Sequence, residues 1–276
     1  MSKKRAIFFL VTSAFLWGVS FPIVKVAVSR ISPFDLFFLR FAFAALFMIP
    51  FIGKNFAKGH LILLGFLNSS AFLMEFFGQK YTSATEAALI TVTILPLVAL
   101  ISIFIGEKAN FKTSIAVFLT VTGAFIIITR LDFTNLRFSS IKGNLLVFLA
   151  TFLWAVFTVI SRKIQRDGSE QTTWAILFWT GMFALPVAGF RHIELTFYSV
   201  TVSLILAVFC TIVAFHLFLE AMRKIDATTS EVIITLQLPF AIITSMIFLN
   251  EKLSLSMIIG GVLITSAIFM VAGEEE

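Results

Sequence analysis

The sequence predicts an all-α integral membrane protein with ten transmembrane helices, arranged as two inverted five-helix repeats around a central cavity. An excess of apolar residues, the length of the apolar segments and motifs that recur in both halves indicate this fold. Of 276 residues, 59% are apolar and 13% are charged, whereas soluble domains have about 45–50% and about 25%. A water-soluble fold of this length could not bury so much apolar surface, so we expect lipid to cover it.

The composition argues against several classes of site. The single cysteine, Cys210, excludes an internal disulfide and a cysteine-based metal site. The three histidines, His60, His192 and His216, are too scattered to indicate a metal cluster. The net charge of +6 comes from basic residues between apolar segments, which is typical of membrane orientation. We therefore expect no metal, no cofactor and no nucleic-acid partner.

Ten apolar segments have the length of a membrane span, since about 20 residues of helix cross a hydrocarbon core of ~30 Å. The first is too long for the apolar region of a signal peptide, which has about 7–15 residues, so we expect an uncleaved helix. The predicted spans are 6–28, 34–52, 61–80, 84–105, 112–129, 143–164, 172–190, 197–219, 228–249 and 255–272.

The distribution of lysine and arginine predicts the orientation. With the N-terminus inside, the inner segments carry twelve of these residues and the outer segments seven. This excess favours a multi-pass protein of the plasma membrane with both termini in the cytoplasm. Arg130, Arg137 and Lys142, around the fifth and sixth spans, are the main outer charges that oppose it.

Short motifs recur in the same order in the two halves, residues 1–137 and 138–276. An odd number of spans per half means that the second half crosses the membrane upside down. Inverted repeats of this kind form many secondary transporters, with a binding site near the midplane. The matched motifs are Phe15-Leu16-Trp17 with Phe152-Leu153-Trp154, Pro50 with Pro186, Ala84-Thr85 before Pro96 with Ala227-Thr228 before Pro239, and Gly106-Glu107-Lys108 with Asn250-Glu251-Lys252.

These motifs resemble those of the drug/metabolite transporter superfamily, EamA type. The resemblance implies a basket of ten helices with a central cavity, which moves amino acids or similar small metabolites, often outward. Nucleotide-sugar carriers share the superfamily, so the substrate class stays open. The expected partners are a small-molecule substrate, the lipid bilayer and a coupling proton, and the protein would be a monomer or a homodimer. The residues that carry the resemblance are Phe15-Leu16-Trp17-Gly18, Arg40, Ala84 to Pro96, Gly106-Glu107-Lys108, Pro239 and Asn250-Glu251-Lys252.

Five residues are candidates for the substrate cavity. Trp17 and Trp154 fall near the middle of the first and sixth spans, where an indole could stack on a substrate or a cation. Asn68, Thr93 and Gln237 place polar groups at a similar depth, two of them just before a proline that frees a backbone carbonyl. The alternative roles are packing for the tryptophans and interhelical hydrogen bonding for the polar residues.

Charged residues predict a polar layer near the outer surface. Arg40 and Glu75 each lie about 8–9 Å deep from the outer end of their span, and Lys25 and Glu86 lie nearer that surface. We expect an arginine or lysine to pair with a glutamate here, because an isolated buried charge is costly. A structural ion pair for Arg40 and snorkelling by Lys25 are the alternatives. Glu75 and His216 are the candidates for protonation.

The remaining ionisable residues lead us to expect a neutral or zwitterionic substrate. Glu220 and Glu231 are predicted near cytoplasmic helix ends, so that the deep centre holds no ionisable side chain. No nucleotide-binding loop and no catalytic signature occurs, so we expect no catalytic residues and no enzyme. The expected function is export of amino acids or similar metabolites by alternating access. A membrane-embedded enzyme acting on a lipid or its precursor, and a small-solute channel, are the alternatives.

Overall fold

A computed structural model gives the protein as a bundle of helices, with no β-strand among the described residues. It describes residues 1–28, 30–51, 53–54, 56–81, 90–91, 93–106, 110–129, 141–166, 170–186, 192–249 and 255–272. The helices are α1 (Lys3–Val28), α2 (Pro33–Met48), α3 (Gly59–Tyr81), α4 (Ile94–Phe104), α5 (Phe111–Thr129), α6 (Ile141–Arg166), α7 (Glu170–Met182), α8 (Phe197–Ala221), α9 (Ala227–Ile234), α10 (Gln237–Leu249) and α11 (Leu255–Ala272).

Within these ranges, six segments are long and apolar enough to cross a membrane. Three shorter apolar helices accompany them: Ile94–Phe104, Phe111–Ile126 and Leu255–Met270. The chain is therefore a multi-pass membrane protein. The six segments are Lys3–Val24, Pro33–Phe51, Gly59–Gly78, Ile141–Ile164, Phe197–Ala221 and Ala227–Phe248.

The outer faces of the helices are as apolar as the interior. Phe104 is 86% exposed and Phe269 is 74% exposed, whereas Phe157, Phe215 and Phe218 are completely buried. Large apolar side chains that stand outside a bundle are stable only where lipid replaces water. The aromatic residues thus serve both the lipid-facing surface and the core.

Most predicted spans lie within three residues of the observed helices; the span 143–164, for example, is α6. Two predictions of continuous helix are wrong. The span 172–190 contains a helix that ends at Met182, followed by a turn at 183–185 ahead of Pro186. The span 228–249 is interrupted by a turn at 235–236 ahead of Pro239. A proline donates no amide hydrogen and its ring clashes with the carbonyl four residues earlier, which explains both breaks.

Two further spans differ from expectation in another way. The predicted span 197–219 is α8, but its middle third, Leu206–Val213, is a π-helix between two α-helical ends. A π-helical segment changes which carbonyls the helix's own amides use. The first part of the span 84–105 lies outside the described residues, and its second part is α4.

Close helix packing brings α1 into contact with α8 and α10 at the centre of the bundle. A Cβ atom on Gly18 of α1 would lie 2.6 Å from the Cβ of Phe240 and 2.9 Å from the carbonyl oxygen of Gln237. Small residues at such crossings let membrane helices approach closely, because packing and not hydrophobicity drives their association. Gly18 thus sets the distance between α1 and α10.

We expect Gly18→Ala to destabilise the protein by about 1–3 kcal/mol, because the added methyl group overpacks the crossing of α1 and α10. The matched control is Gly261→Ala, also within a helix, where no described atom lies within 4 Å of the added Cβ. That change should be neutral or stabilising by up to about 1 kcal/mol. Thermal unfolding in detergent measures both, and equal melting temperatures for the two variants would contradict the close crossing.

Candidate functional site

Two tryptophans from different halves of the chain meet at the centre of the bundle. Trp17 of α1 and Trp154 of α6 pack edge to face, with ring centroids 5.9 Å apart. Phe215 of α8 touches both, at 5.3 Å from Trp17 and 5.6 Å from Trp154. Phe72 of α3 lies 5.8 Å from Trp154. Such contacts match the preferred geometry of aromatic pairs. We call Trp17, Phe72, Trp154, Phe157, Phe215 and Phe218 the central aromatic cluster.

The Trp17 indole is held by a backbone carbonyl that the π-helical segment of α8 makes available. In an α-helix the amide of Ala214 would donate to the carbonyl of Cys210. Here it donates to the carbonyls of Phe209 and Thr211. The Cys210 carbonyl accepts the Nε1–H of Trp17 at 3.0 Å. The change in helical pitch therefore creates the acceptor that fixes this indole.

Arg40 of α2 uses the same carbonyl. Its Nη2 donates to the oxygen of Cys210 at 3.0 Å, and its Nε donates to the hydroxyl of Thr211 at 2.7 Å. That hydroxyl donates in turn to the carbonyl of Leu206 at 3.2 Å. Arg40 is buried, and its guanidinium carbon lies 5.9 Å from the ring centroid of Phe72, within the range of a cation–π contact. Arg40 thus connects the π-helical segment to the central aromatic cluster.

Glu231 of α9 contacts the second tryptophan. Its Oε1 accepts the Nε1–H of Trp154 at 3.2 Å and the hydroxyl of Thr158 at 2.8 Å. The side chain is only 3% exposed. Trp154 and Thr158 lie one turn apart on α6, so that one face of that helix presents both donors to the carboxyl group.

Ionisable side chains, among them Arg40 and Glu231, therefore lie beside the central aromatic cluster, and the prediction of a deep centre without any is wrong. Counting depth along the sequence placed Glu231 near a cytoplasmic helix end, yet all eight residues of α9 are buried. The Glu231 side chain therefore does not extend its carboxyl group to the surface of the bundle. Instead it lies against Trp154, while Arg40 shares a hydrogen-bond acceptor with Trp17.

The other three cavity candidates are not part of the central aromatic cluster, although the carbonyl of Gln237 lies beside Gly18, the residue after Trp17. Asn68 donates from Nδ2 to the hydroxyl of Thr180 at 3.0 Å, which joins α3 to α7. Its buried Oδ1 has no hydrogen bond within the described residues. The hydroxyl of Thr93 donates to the carbonyl of Ile90 at 2.6 Å. Gln237 begins α10. Among the described residues, Asn68, Thr93 and Gln237 make no hydrogen bond to either tryptophan.

Of the four residues predicted for the outer polar layer, the structure describes the side chains of Arg40 and Glu75. Glu75 of α3 lies close enough to Arg40 for their charges to interact. The side chain of Lys25 and the whole of Glu86 lie outside the described residues. The layer is thus represented by one arginine and one glutamate, from neighbouring helices.

The second candidate for protonation, His216, lies on α8 and stacks on Trp174 of α7. Their ring centroids are 4.6 Å apart and the planes are inclined by 15°. This stacking joins α7 to α8. No group of three or more histidine, cysteine or acidic side chains within the described residues could hold a metal ion.

The contacts of Glu231, Thr158 and the Cys210 carbonyl were not predicted from the sequence. Glu231 had a signal, because it is the one charged residue in the apolar segment 228–249. For Thr158 the sequence signal was its position four residues after Trp154, which places both side chains on one face of a helix. The π-helical segment Leu206–Val213 is apolar apart from one threonine and carries no motif that indicates its geometry.

We expect Arg40→Lys to lower the stability of the protein by about 1.5–3 kcal/mol, because a lysine amine cannot donate to Cys210 and Thr211 with Arg40's fork geometry. The matched control is Arg223→Lys, since Arg223 is partly exposed and pairs with Glu220, three residues earlier in the chain, at 3.2 Å. That change should remain within about 0.5 kcal/mol. Thermal unfolding in detergent measures the difference, and equal losses would show that the Arg40 hydrogen bonds contribute little.

Comparison with known proteins identifies the family. The sequence model of the EamA-like transporter family matches residues 4–129 and residues 141–273. The chain is 28% identical to an uncharacterized transporter of Archaeoglobus fulgidus, over 96% of this chain and 96% of that one. It is 23% identical to a probable amino-acid metabolite efflux pump of Escherichia coli, over 69% of this chain and 63% of that protein.

A solved crystal structure shares the fold. It superposes with a TM-score of 0.84 and covers 98% of this chain and 97% of the other, at 15% identity. Similarity at that level of identity concerns the fold alone. The two matches of the family model cover most of the sequence and give one conclusion: the chain belongs to the EamA-like transporter family of membrane proteins.

Proposed function

We propose that this protein is a secondary-active transporter of the plasma membrane that exports amino acids or similar small zwitterionic metabolites by alternating access. The observation that carries the proposal is the central aromatic cluster, in which Trp17 and Trp154 meet. Arg40 shares the Cys210 carbonyl with Trp17, and Glu231 accepts a hydrogen bond from Trp154. Aromatic faces next to a buried cation and a buried carboxyl group suit a ligand that carries both charges.

The name of one relative agrees with this substrate class. The protein of Escherichia coli bears the name of a probable amino-acid metabolite efflux pump. An amino acid offers a carboxylate to a guanidinium and an ammonium group to a carboxylate or an indole face. Asn68, Thr93 and Gln237 remain candidates for more distant parts of the substrate path.

Alternating access would follow from two inverted five-helix repeats, residues 1–137 and 138–276. The matching motifs around Trp17 and Trp154 support this arrangement, as does the family model that matches the chain twice. The rings of the cluster touch one another, and Trp17 is 8% exposed. Substrate would therefore bind when α1 and α6 move apart, and rocking of one repeat against the other produces such a movement.

The outer polar layer would close the pathway from outside. The interaction of Arg40 with Glu75 links α2 to α3, and Lys25 and Glu86 are the further members. Because Arg40 also binds the Cys210 carbonyl, opening this layer would disturb the acceptor that holds Trp17. The layer and the aromatic cluster would then respond together to substrate, and no enzymatic step is part of this function.

We expect purified protein in proteoliposomes to show counterflow: transient accumulation of a labelled amino acid against an unlabelled internal pool, with no ion gradient. Trp17→Phe should slow this exchange roughly fivefold to tenfold, since phenylalanine binds cations more weakly than tryptophan and lacks the N–H that Cys210 accepts. Trp179→Phe is the matched control, because its Nε1–H donates to the carbonyl of Phe56, outside the cluster.

Four other outcomes of these measurements would contradict parts of the proposed function. Flux without transient accumulation would indicate a channel, and a modified lipid product would indicate an enzyme. Absence of counterflow with any amino acid would remove amino acids as substrates. Equal effects of the two tryptophan changes would argue against a role for the central aromatic cluster in substrate binding.

A further inference from the structure

The Glu231 carboxyl group occupies an unusually closed position. All eight residues of its helix, α9, are buried, and α9 packs against α1, α4, α5, α6 and α11. The side chain is 3% exposed. A charged carboxylate in such surroundings is costly unless a cation or several hydrogen bonds stabilise it.

The hydrogen bonds to Glu231 come from neutral donors. Both the Trp154 indole and the Thr158 hydroxyl donate to Oε1. The second oxygen, Oε2, accepts no hydrogen bond from the described residues. Neutral donors stabilise a carboxylate only in part and leave its net charge in place. Oε2 is therefore the atom where a proton can bind without displacing either donor.

No described basic side chain forms an ion pair with Glu231, although five helices pack against α9. Helices α4 and α11 contain no ionisable residue. Helix α5 has Lys112 in its first turn. The basic residues of α1 and α6 lie toward the ends of those helices: Lys3, Lys4, Arg5 and Lys25 on α1, and Lys142, Arg162, Lys163 and Arg166 on α6.

Two charged residues close to this contact along α6 and α9 are engaged elsewhere. Arg162, one turn beyond Thr158 on α6, donates to the carbonyl of Met222. Asp226 caps α9 by accepting the amide hydrogen of Thr229 at 2.8 Å. A proton is thus the cation that can neutralise Glu231 at this position without any movement of the helices.

We propose that Glu231 is the proton-binding residue that couples substrate transport to a proton gradient, with Trp154 as the link to the substrate site. This inference rests on the proposed transport function. Glu75 interacts with Arg40 and His216 stacks on Trp174, so both of the residues expected to bind the proton already serve other contacts.

The coupling follows from the hydrogen bond at Oε1. A deprotonated Glu231 holds the Trp154 N–H strongly, because hydrogen bonds to charged acceptors are about twice as strong as neutral ones. A protonated Glu231 holds it weakly, which frees the indole to follow a substrate that enters the central aromatic cluster. Proton binding and substrate binding then influence each other through one side chain.

The transport test uses full-length protein in proteoliposomes and the labelled amino acid that gives counterflow. An imposed pH gradient should drive accumulation of this amino acid by the wild type. In Glu231→Gln both rates are compared with those of the wild type. The factor by which pH-driven accumulation falls should be about ten or more times the factor by which counterflow falls. Glu220→Gln is the matched control, because that carboxylate is paired with Arg223, and it should keep the driven accumulation. A pH-driven accumulation in Glu231→Gln equal to that of the wild type would overturn the proposal.

A second measurement needs no substrate. Infrared difference spectra of the full chain in lipid, recorded as the pH is changed, should contain a carboxylic-acid carbonyl band that Glu231→Gln removes. Glu220→Gln and Glu231→Asp should retain a titrating band. If Glu231→Gln does not fold, a Glu231→Asp variant whose band matches the wild type in frequency and midpoint would overturn the assignment. Absence of counterflow with any amino acid in a wild type that shows the Glu231 band would contradict the proposed amino-acid transport and leave the assignment of the proton-binding residue in place.

Discussion

The carbonyl of Cys210 is the interaction on which the centre of the bundle depends. The π-helical segment releases it from the amide of Ala214, and it then accepts hydrogen bonds from Trp17 and Arg40, both at 3.0 Å. One backbone oxygen thus joins α1, α2 and α8. In the low-dielectric interior of a membrane protein, such a bond also prevents an indole, a guanidinium and a carbonyl from remaining unsatisfied. The position of Trp17, and with it the shape of the aromatic cluster, follows from this one departure from α-helical geometry.

Around this point the two ionisable residues are held in different ways. Arg40 is surrounded by acceptors and rings and lies within reach of the charge of Glu75. Glu231 has two neutral donors and no ion pair within the described residues. A fixed cation suits a structural or substrate-binding role, whereas a carboxyl group without a partner cation suits reversible protonation. The central aromatic cluster thus lies between a buried guanidinium group and a buried carboxyl group, which our proposal makes the site of proton binding.

The breaks in the helices are the places where the proposed transport cycle would allow movement. Turns ahead of Pro186 and Pro239 divide two predicted spans, and the π-helical segment Leu206–Val213 interrupts a third. Rigid crossings, such as that of Gly18 with Phe240, lie between these points. Helices that are closely packed in one part and interrupted in another can move as separate segments while they stay within the bundle.

The sequence alone determined the membrane class, the approximate bounds of most helices and the family, because apolar segment length and recurring motifs are local properties. It also predicted that Trp17 and Trp154 lie at a similar depth and that Arg40 lies near Glu75, and the structure brings each pair together. It could not show which side chains share an acceptor, since the Cys210 carbonyl becomes available only through the register of α8. Nor could depth along the chain reveal that Glu231 lies against Trp154, because the packing of α9 among five other helices decided that contact. The local sequence pattern thus predicts the helices, whereas the packing of the helices decides which side chains form the site.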